Sequence, residues 1–262
     1  MAASAHVRLE RNGAIATLTL DRPEQLNPLD WQTVRDLLGL VAELEREAAL
    51  AAVILTGRGK AFSAGGDLES YLELYRNPAR FRGFLADFAR LNAAIEASAK
   101  IYLAAVNGFC VAGGLELMLA CDLALAAEEA RIGDGHLNFA QLPGAGGSQR
   151  LPRAIGVLRA KELILTGELL DGRAAAAIGL VNRAVPGERL MAEALAVAGR
   201  LAERSRVALG GAKYLVNAGL RTDLAAGLEI ERGFVHNYAT AEPDATEGLV
   251  AFKQKRKPRF GL

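Results

Sequence analysis

The stretch IYLAAVNGFCVAGGLELMLACDLALAA, Ile101 to Ala127, decides the fold. Its opening IYLAAVNG is a short apolar run ending in Asn-Gly, which reads as a buried strand. Gly113 to Ala120 reads as a short helix and DLALAA as the next buried strand. Strands alternating with helices over so short a span imply an α/β layer structure with much parallel pairing. Inside the short helix, Glu116 stands between leucines. A charge there must be exposed, paired or functional, because its unpaired burial is costly.

The same alternation extends on both sides. AAVILTG, upstream, reads as a buried strand that leads into the loop SAGGDL, Ser63 to Leu68. Val7 to Arg11 and Ile15 to Leu20, separated by Asn12-Gly13, predict an opening hairpin. The stretch Leu29 to Leu50 has helical spacing, with Asp30 placed to cap it. A second long helix is predicted from Asn77-Pro78, a cap followed by proline at the first helical position, towards Ala97. Downstream, Gly147 to Thr166 predicts helices and Leu180 to Val185 a strand. From Glu188 the periodicity is almost wholly helical. These readings divide the chain into residues 1–195, an α/β core, and 196–262, a helical region.

Composition narrows the function classes. The 262 residues are 51% hydrophobic and 23% charged, and 31 Lys plus Arg nearly cancel 30 Asp plus Glu, for a net charge of +1. That balance supplies no global field for a polyanion, and such an apolar chain is not disordered. Neither secretion nor a membrane span is expected. The start, MAASAHVRLERNG, becomes charged at once, and the longest apolar approach, Ile101 to Leu125, is broken by glycines, Asn107, Glu116 and Asp122. Cys110 and Cys121, both set in apolar sequence, read as packing residues in a reducing compartment, so a cytoplasmic location is expected.

The general motifs fail. GRGKAFSAGG lacks the arrangement of a phosphate loop, and GxGxxG, GxSxG and HExxH are missing. His6, His136 and His236 are too scattered to suggest a metal site, and none is expected. What remains is a pair of glycine loops, SAGGDL and NGFCVAGGLEL, each between a buried strand and a helix. Amides at a helix start are unsatisfied and point outward, where they can serve an anion or a developing oxyanion. Each loop alone fits a bare turn. Together with Glu116 they make a stronger combination.

These residues resemble the crotonase (enoyl-CoA hydratase/isomerase) superfamily over essentially the whole chain. DRPEQLNPLD, AFSAGGDL, AAVNGFCVAGGLELMLACDLALAAEEARIG, LPGAGGSQRLPRAIG, TGELLDGRAAAAIGLVNRAV and FKQKRKPRF follow one another in the family's order. The resemblance implies an α/β fold, a spiral of ββα units with a C-terminal helical trimerisation region. It also implies a homotrimer or a dimer of trimers that binds acyl-CoA thioesters, with coenzyme A arriving as part of the substrate and no permanently bound cofactor. The amides of Gly66 and Gly113 would form the oxyanion hole. Because the backbone carries that role, alanine at either position is expected to preserve it. Ala64, Gly65, Asp67 and Leu68 would shape the substrate site, Asp67 first as a structural residue. In the basic tail, a solvated face by default, Phe252 and Lys255 would hold the adenine and phosphate end of coenzyme A, from a neighbouring subunit. Tyr71, Tyr75, Phe81, Phe84 and Phe88 are placed to wall the acyl pocket, although the same spacing fits plain core. PGAGG reads as a tight turn into the helix bearing Gln149 and Arg150.

Hydratases of this family use two glutamates. The first falls on Glu116; the second position, twenty residues later, holds His136. Three roles compete for this imidazole: an acid/base group, a substrate-binding group that leaves Glu116 as the sole base, or the mark of a different thioester reaction. A pocket wall without chemistry is the bland alternative. Asp134 and Asn138 flank it and could supply or orient a polar group. The leading expectation is a lyase, an enoyl-CoA hydratase of fatty acid metabolism. Its rivals are an isomerase, a thioester hydrolase or decarboxylase, and an RNA-binding homologue, against which the near-neutral charge argues.

Overall fold

The computed structural model describes residues 6–261. The chain opens with β1 (Val7–Asn12) and β2 (Ile15–Leu20), then α1 (Trp31–Glu45), β3 (Ala52–Gly57), β4 (Ala61–Ser63), α2 (Leu68–Tyr75) and α3 (Pro78–Ala97). It continues through β5 (Ile101–Val106), β6 (Phe109–Val111), α4 (Gly113–Met118), β7 (Leu123–Ala127), β8 (Arg131–Gly133), α5 (Gly147–Ile155) and α6 (Val157–Thr166). Next come β9 (Leu170–Asp171), α7 (Gly172–Ala177) and β10 (Arg183–Val185), and then α8 (Leu190–Ala202), α9 (Arg206–Gly219), α10 (Leu224–Ala241) and α11 (Pro243–Lys253).

The strands form two sheets. A larger one has the order β1-β2-β3-β5-β7-β10, and a smaller one β4-β6-β8-β9. Beyond the β1–β2 hairpin the larger sheet is parallel, as is the smaller one up to β8. Each pass therefore lays one strand in the large sheet and a short one in the small sheet, then returns by helix. β3-β4-α2-α3, β5-β6-α4 and β7-β8-α5 are successive turns of one ββα spiral, as the fold reading expected. Burial follows: every residue of β5 is buried, the condition that makes a parallel strand a continuous apolar run rather than an alternating one.

The predicted caps are present. Asp30 accepts from the Thr33 amide at the start of α1, and Asn77 accepts from Arg80 ahead of Pro78 in α3. The strand predicted over Leu180 to Val185 is shorter, because the Leu180 amide still bonds Ala175 at the end of α7. Pairing begins only where the Asn182 amide reaches Ala124.

α8 lies across β3, β5 and β7, with Leu190, Ala194, Val197 and Ala198 buried. Residue 195 thus falls within a helix that covers the large sheet. Lys213 of α9 is one residue that fastens the later helices to the core, beside Asn217, whose Nδ2 donates to the Glu96 carbonyl. Lys213 Nζ donates to the Ile95 carbonyl at 2.7 Å, the Lys100 carbonyl at 3.0 Å and Asp122 Oδ2 at 2.9 Å. Val216, Leu220, Leu224, Leu228 and Val235 of this region are exposed. Among the described residues no helix is long and apolar enough to cross a membrane.

Candidate active site

The two glycine loops meet, Gly65 of the first against Ala112 of the second. The DRPEQLNPLD segment braces the first of them. Asn27 is buried and its Nδ2 donates to the Ala61 carbonyl at 2.7 Å, while the Ala64 amide bonds Leu26 and the Leu29 amide bonds Gly65. Gly65 adopts φ +100°, and a Cβ there would stand 2.9 Å from the Ala112 Cβ, so the loop requires glycine for both conformation and close approach. Ala112 itself is held at φ 52°, ψ −118°, a costly geometry for an alanine, immediately before α4. The strained turn starts α4 at Gly113 against the first loop. The Gly66 and Gly113 amides make no hydrogen bond among the described residues.

α4 then places Glu116, which is 2% exposed. Its Oε1 accepts from the amides of Ala145 at 2.7 Å and Gly147 at 2.8 Å. Burial pushes the carboxyl above its ordinary 4.5, against the pull of these amides and of His136. The Ala145 peptide is itself clamped, its carbonyl accepting from Asn92 Nδ2 and Arg150 Nη1, both at 2.9 Å, while Arg150 also pairs with Glu96. One carboxylate oxygen is thus tied to backbone and the other, Oε2, is left for chemistry.

Oε2 faces His136 Nε2 at 3.9 Å. On the other side of the ring, Nδ1 lies 3.0 Å from Asp134 Oδ1. Burial pulls the imidazole down, but the hydrogen bond and charge of Asp134, with the charge of Glu116, outweigh it and hold the ring above its ordinary 6.5. Asn138 instead donates to the Gly167 carbonyl and braces the loop.

Glu116 and His136 line a cleft of about 560 Å³. Ala64, Gly66, Asp67 and Leu68 line it too, as do all five predicted aromatics, whose rings stand in successive contact from Tyr75 to Phe88. Asp67 caps α2 by accepting from the Ser70 amide at 2.8 Å. Tyr75 donates to Gln141, linking α2 to the opposite rim. Phe252, 85% exposed, and Lys255 do not line the cleft.

One expectation needs correction. Alanine at Gly66 would not be innocuous, since its Cβ would fall 1.9 Å from Tyr71 Cε2. At Gly113 the nearest atom is Phe88 Cε1 at 3.3 Å, a contact that a small shift relieves. Sequence reasoning also missed the amides of Ala145 and Gly147, having read PGAGG as a turn alone, and the brace supplied by Asn27. A backbone donor leaves no side-chain signature, so only the glycine-rich turn could have hinted at it.

The arrangement can do acid/base chemistry. A buried carboxyl and an imidazole, both raised, face one space, whose lining also includes Gly66.

Comparison with known proteins agrees. A family model described as Enoyl-CoA hydratase/isomerase matches residues 10–261. A Mycobacterium tuberculosis protein named "Probable enoyl-CoA hydratase echA8" is 39% identical over 254 residues, 97% of each chain. A Syntrophomonas wolfei protein named "Crotonyl-CoA hydratase" is 35% identical over 256 residues, again 97% of each. Among solved structures, an enoyl-CoA hydratase from Bacillus anthracis superposes with a TM-score of 0.92 at 36% identity, covering 97% of this chain and 98% of that one.

Proposed function

The chain belongs to the enoyl-CoA hydratase/isomerase family, and from that premise we propose that it adds water across the double bond of a 2-enoyl-CoA thioester. The observation that carries this reading is the Glu116 Oε2 to His136 Nε2 approach of 3.9 Å within the cleft. It is the pair of proton-handling groups that hydration requires.

The thioester oxygen accepts from the Gly66 and Gly113 amides. As water attacks the β-carbon, negative charge moves onto that oxygen, and two fixed donors stabilise it. Losing one such donor costs ~3 kcal/mol in other enzymes. Glu116 Oε2 takes a proton from the attacking water, whose oxygen bonds to the β-carbon. His136 Nε2–H gives a proton to the α-carbon. The proton on Glu116 then returns to His136 through a water bridging the 3.9 Å gap, so both groups are restored and the net change is addition of one water.

The finer features belong to the same proposal. Coenzyme A enters with the substrate. The exposed apolar residues of α9 and α10 support a homotrimer or a dimer of trimers, with α9 to α11 as the oligomerisation region and α8 grouped with the core it covers. Phe252 and Lys255 lie outside their own cleft and are assigned to the coenzyme A of a neighbouring subunit. Alanine at either is expected to raise KM without lowering the melting temperature. The free cysteines support a cytoplasmic location.

A second reading, a proton shift without water, is favoured by one observation, the imidazole at position 136 where the family's hydratases carry a carboxylate. Incubation with a panel of acyl-CoAs followed by mass analysis separates the two. Gain of one water on 2-enoyl-CoAs supports hydration. Unchanged mass with a shifted ultraviolet spectrum, loss of coenzyme A or loss of carbon dioxide replaces it with isomerisation, hydrolysis or decarboxylation.

A further inference from the structure

Asp134 is a charged-type residue with no exposure, fixed at the end of β8 and two residues before His136. Its Oδ1 lies 3.0 Å from His136 Nδ1 and also accepts from the His136 amide at 3.3 Å. Its Oδ2 is buried without a hydrogen-bond partner. A turn alone does not explain this choice. A residue serving only the turn could leave the ring unbonded, and a buried oxygen with no donor costs stability. The cost is offset where the carboxyl group opposes a protonated ring.

We propose that Asp134 is a positioning residue for His136, accepting Nδ1–H and thereby presenting Nε2 to Glu116 and the cleft as the atom that carries and releases the proton. A ring bonded at Nδ1 has one tautomer when neutral, with the lone pair at Nε2, and one orientation when charged. The inference rests on the reading of His136 as the proton donor in hydration.

The other groups facing this pair are few. Glu116 approaches from α4, and Tyr71 of α2 lines the same cleft, held protonated by burial and by the charge of Glu116. Asp67 and Glu69 stand at its rim. Arg150 of α5 lies beyond the Ala145 peptide and is paired with Glu96. Among the described residues, Asp134 alone besides Glu116 makes an ion-pair contact with the His136 ring.

The test is ¹⁵N NMR of the histidine rings in the substrate-free protein across pH, with His136 assigned by the signals lost in His136→Gln. In the wild type, Nδ1 stays protonated and only Nε2 titrates, with a midpoint above the ordinary 6.5. In Asp134→Asn that midpoint moves to lower pH. The alkaline limb of kcat moves with it, kcat at the alkaline end falls roughly tenfold or more, and KM is unchanged. A wild-type neutral ring protonated at Nε2 overturns the proposal without any variant. An unmoved midpoint in Asp134→Asn overturns it even if activity falls, because Asp134 would then serve only the turn. Since the spectra need no substrate, a reaction other than hydration in the acyl-CoA panel would sink the proposed activity and leave this test standing.

Discussion

Glu116 Oε2 and His136 Nε2 stand 3.9 Å apart, and they are held by opposite means. Backbone amides on a clamped turn fix the carboxylate, whereas a neighbouring side chain fixes the imidazole. The pair therefore couples a rigid group to one whose protonation depends on Asp134.

Glu116→Gln is expected to lower kcat by roughly a hundredfold or more, the scale of a lost acid/base group. The amide oxygen can still accept from Ala145 and Gly147, so the turn survives. Loss of enoyl-thioester absorbance measures the rate, and turnover unchanged on every accepted acyl-CoA would remove Glu116 from the mechanism.

The same substitution has a pH signature in stability. Burial raises the folded value of Glu116 above its ordinary 4.5. Its contribution is fully present below 4.5 and is lost as pH rises through the folded value. His136, also raised, contributes stability present below 6.5 and lost as pH rises further. Melting temperatures of Glu116→Gln relative to wild type should therefore improve as pH climbs past 4.5. A difference that is flat or declines with pH contradicts the burial argument.

Gly66→Ala and Gly113→Ala should separate. The former drives a methyl into the Tyr71 ring and is expected to cost about a hundredfold in kcat/KM, the penalty of an ångström-scale displacement near the reacting atoms. Removing the ring in Gly66→Ala/Tyr71→Ala should recover much of that loss. Gly113→Ala should retain most activity. Equal losses in the two single variants would show that the Tyr71 contact is not the cause.

Lys213→Met leaves the half-buried Asp122 with the Tyr102 amide but without its ammonium partner, and loosens α9 from α3 and β5. A destabilisation of about 3 kcal/mol is expected in urea titration. Asp122→Asn in the same chain should relieve part of it. Full stability in Lys213→Met would mean that α9 is held by other contacts.

The fold was readable because its strands and helices are punctuated by residues with local physical meaning. Asn12-Gly13, Asp30 and Asn77-Pro78 each act within a few residues, and IYLAAV can only be buried on both faces. Glu116 was legible because a carboxyl group among leucines needs a reason. Its partners were not, since Ala145 and Gly147 contribute amides that any residue carries. The obstacle at Gly66 was equally hidden, because it arises from Tyr71 folding back from α2 over its own N-terminal loop. His136 was visible as a departure from a pattern, but its orientation depends on a distance to Asp134 that spacing alone does not set.

The most direct test of the account is incubation of the enzyme with a 2-enoyl-CoA in deuterium oxide, followed by mass and NMR analysis of the product. Hydration by Glu116 and His136 predicts a 3-hydroxyacyl-CoA with one carbon-bound deuterium, at the α-carbon, and a rate that collapses in Glu116→Gln. Deuterium entering the acyl chain with no gain of oxygen would contradict it and identify a proton-shifting isomerase instead.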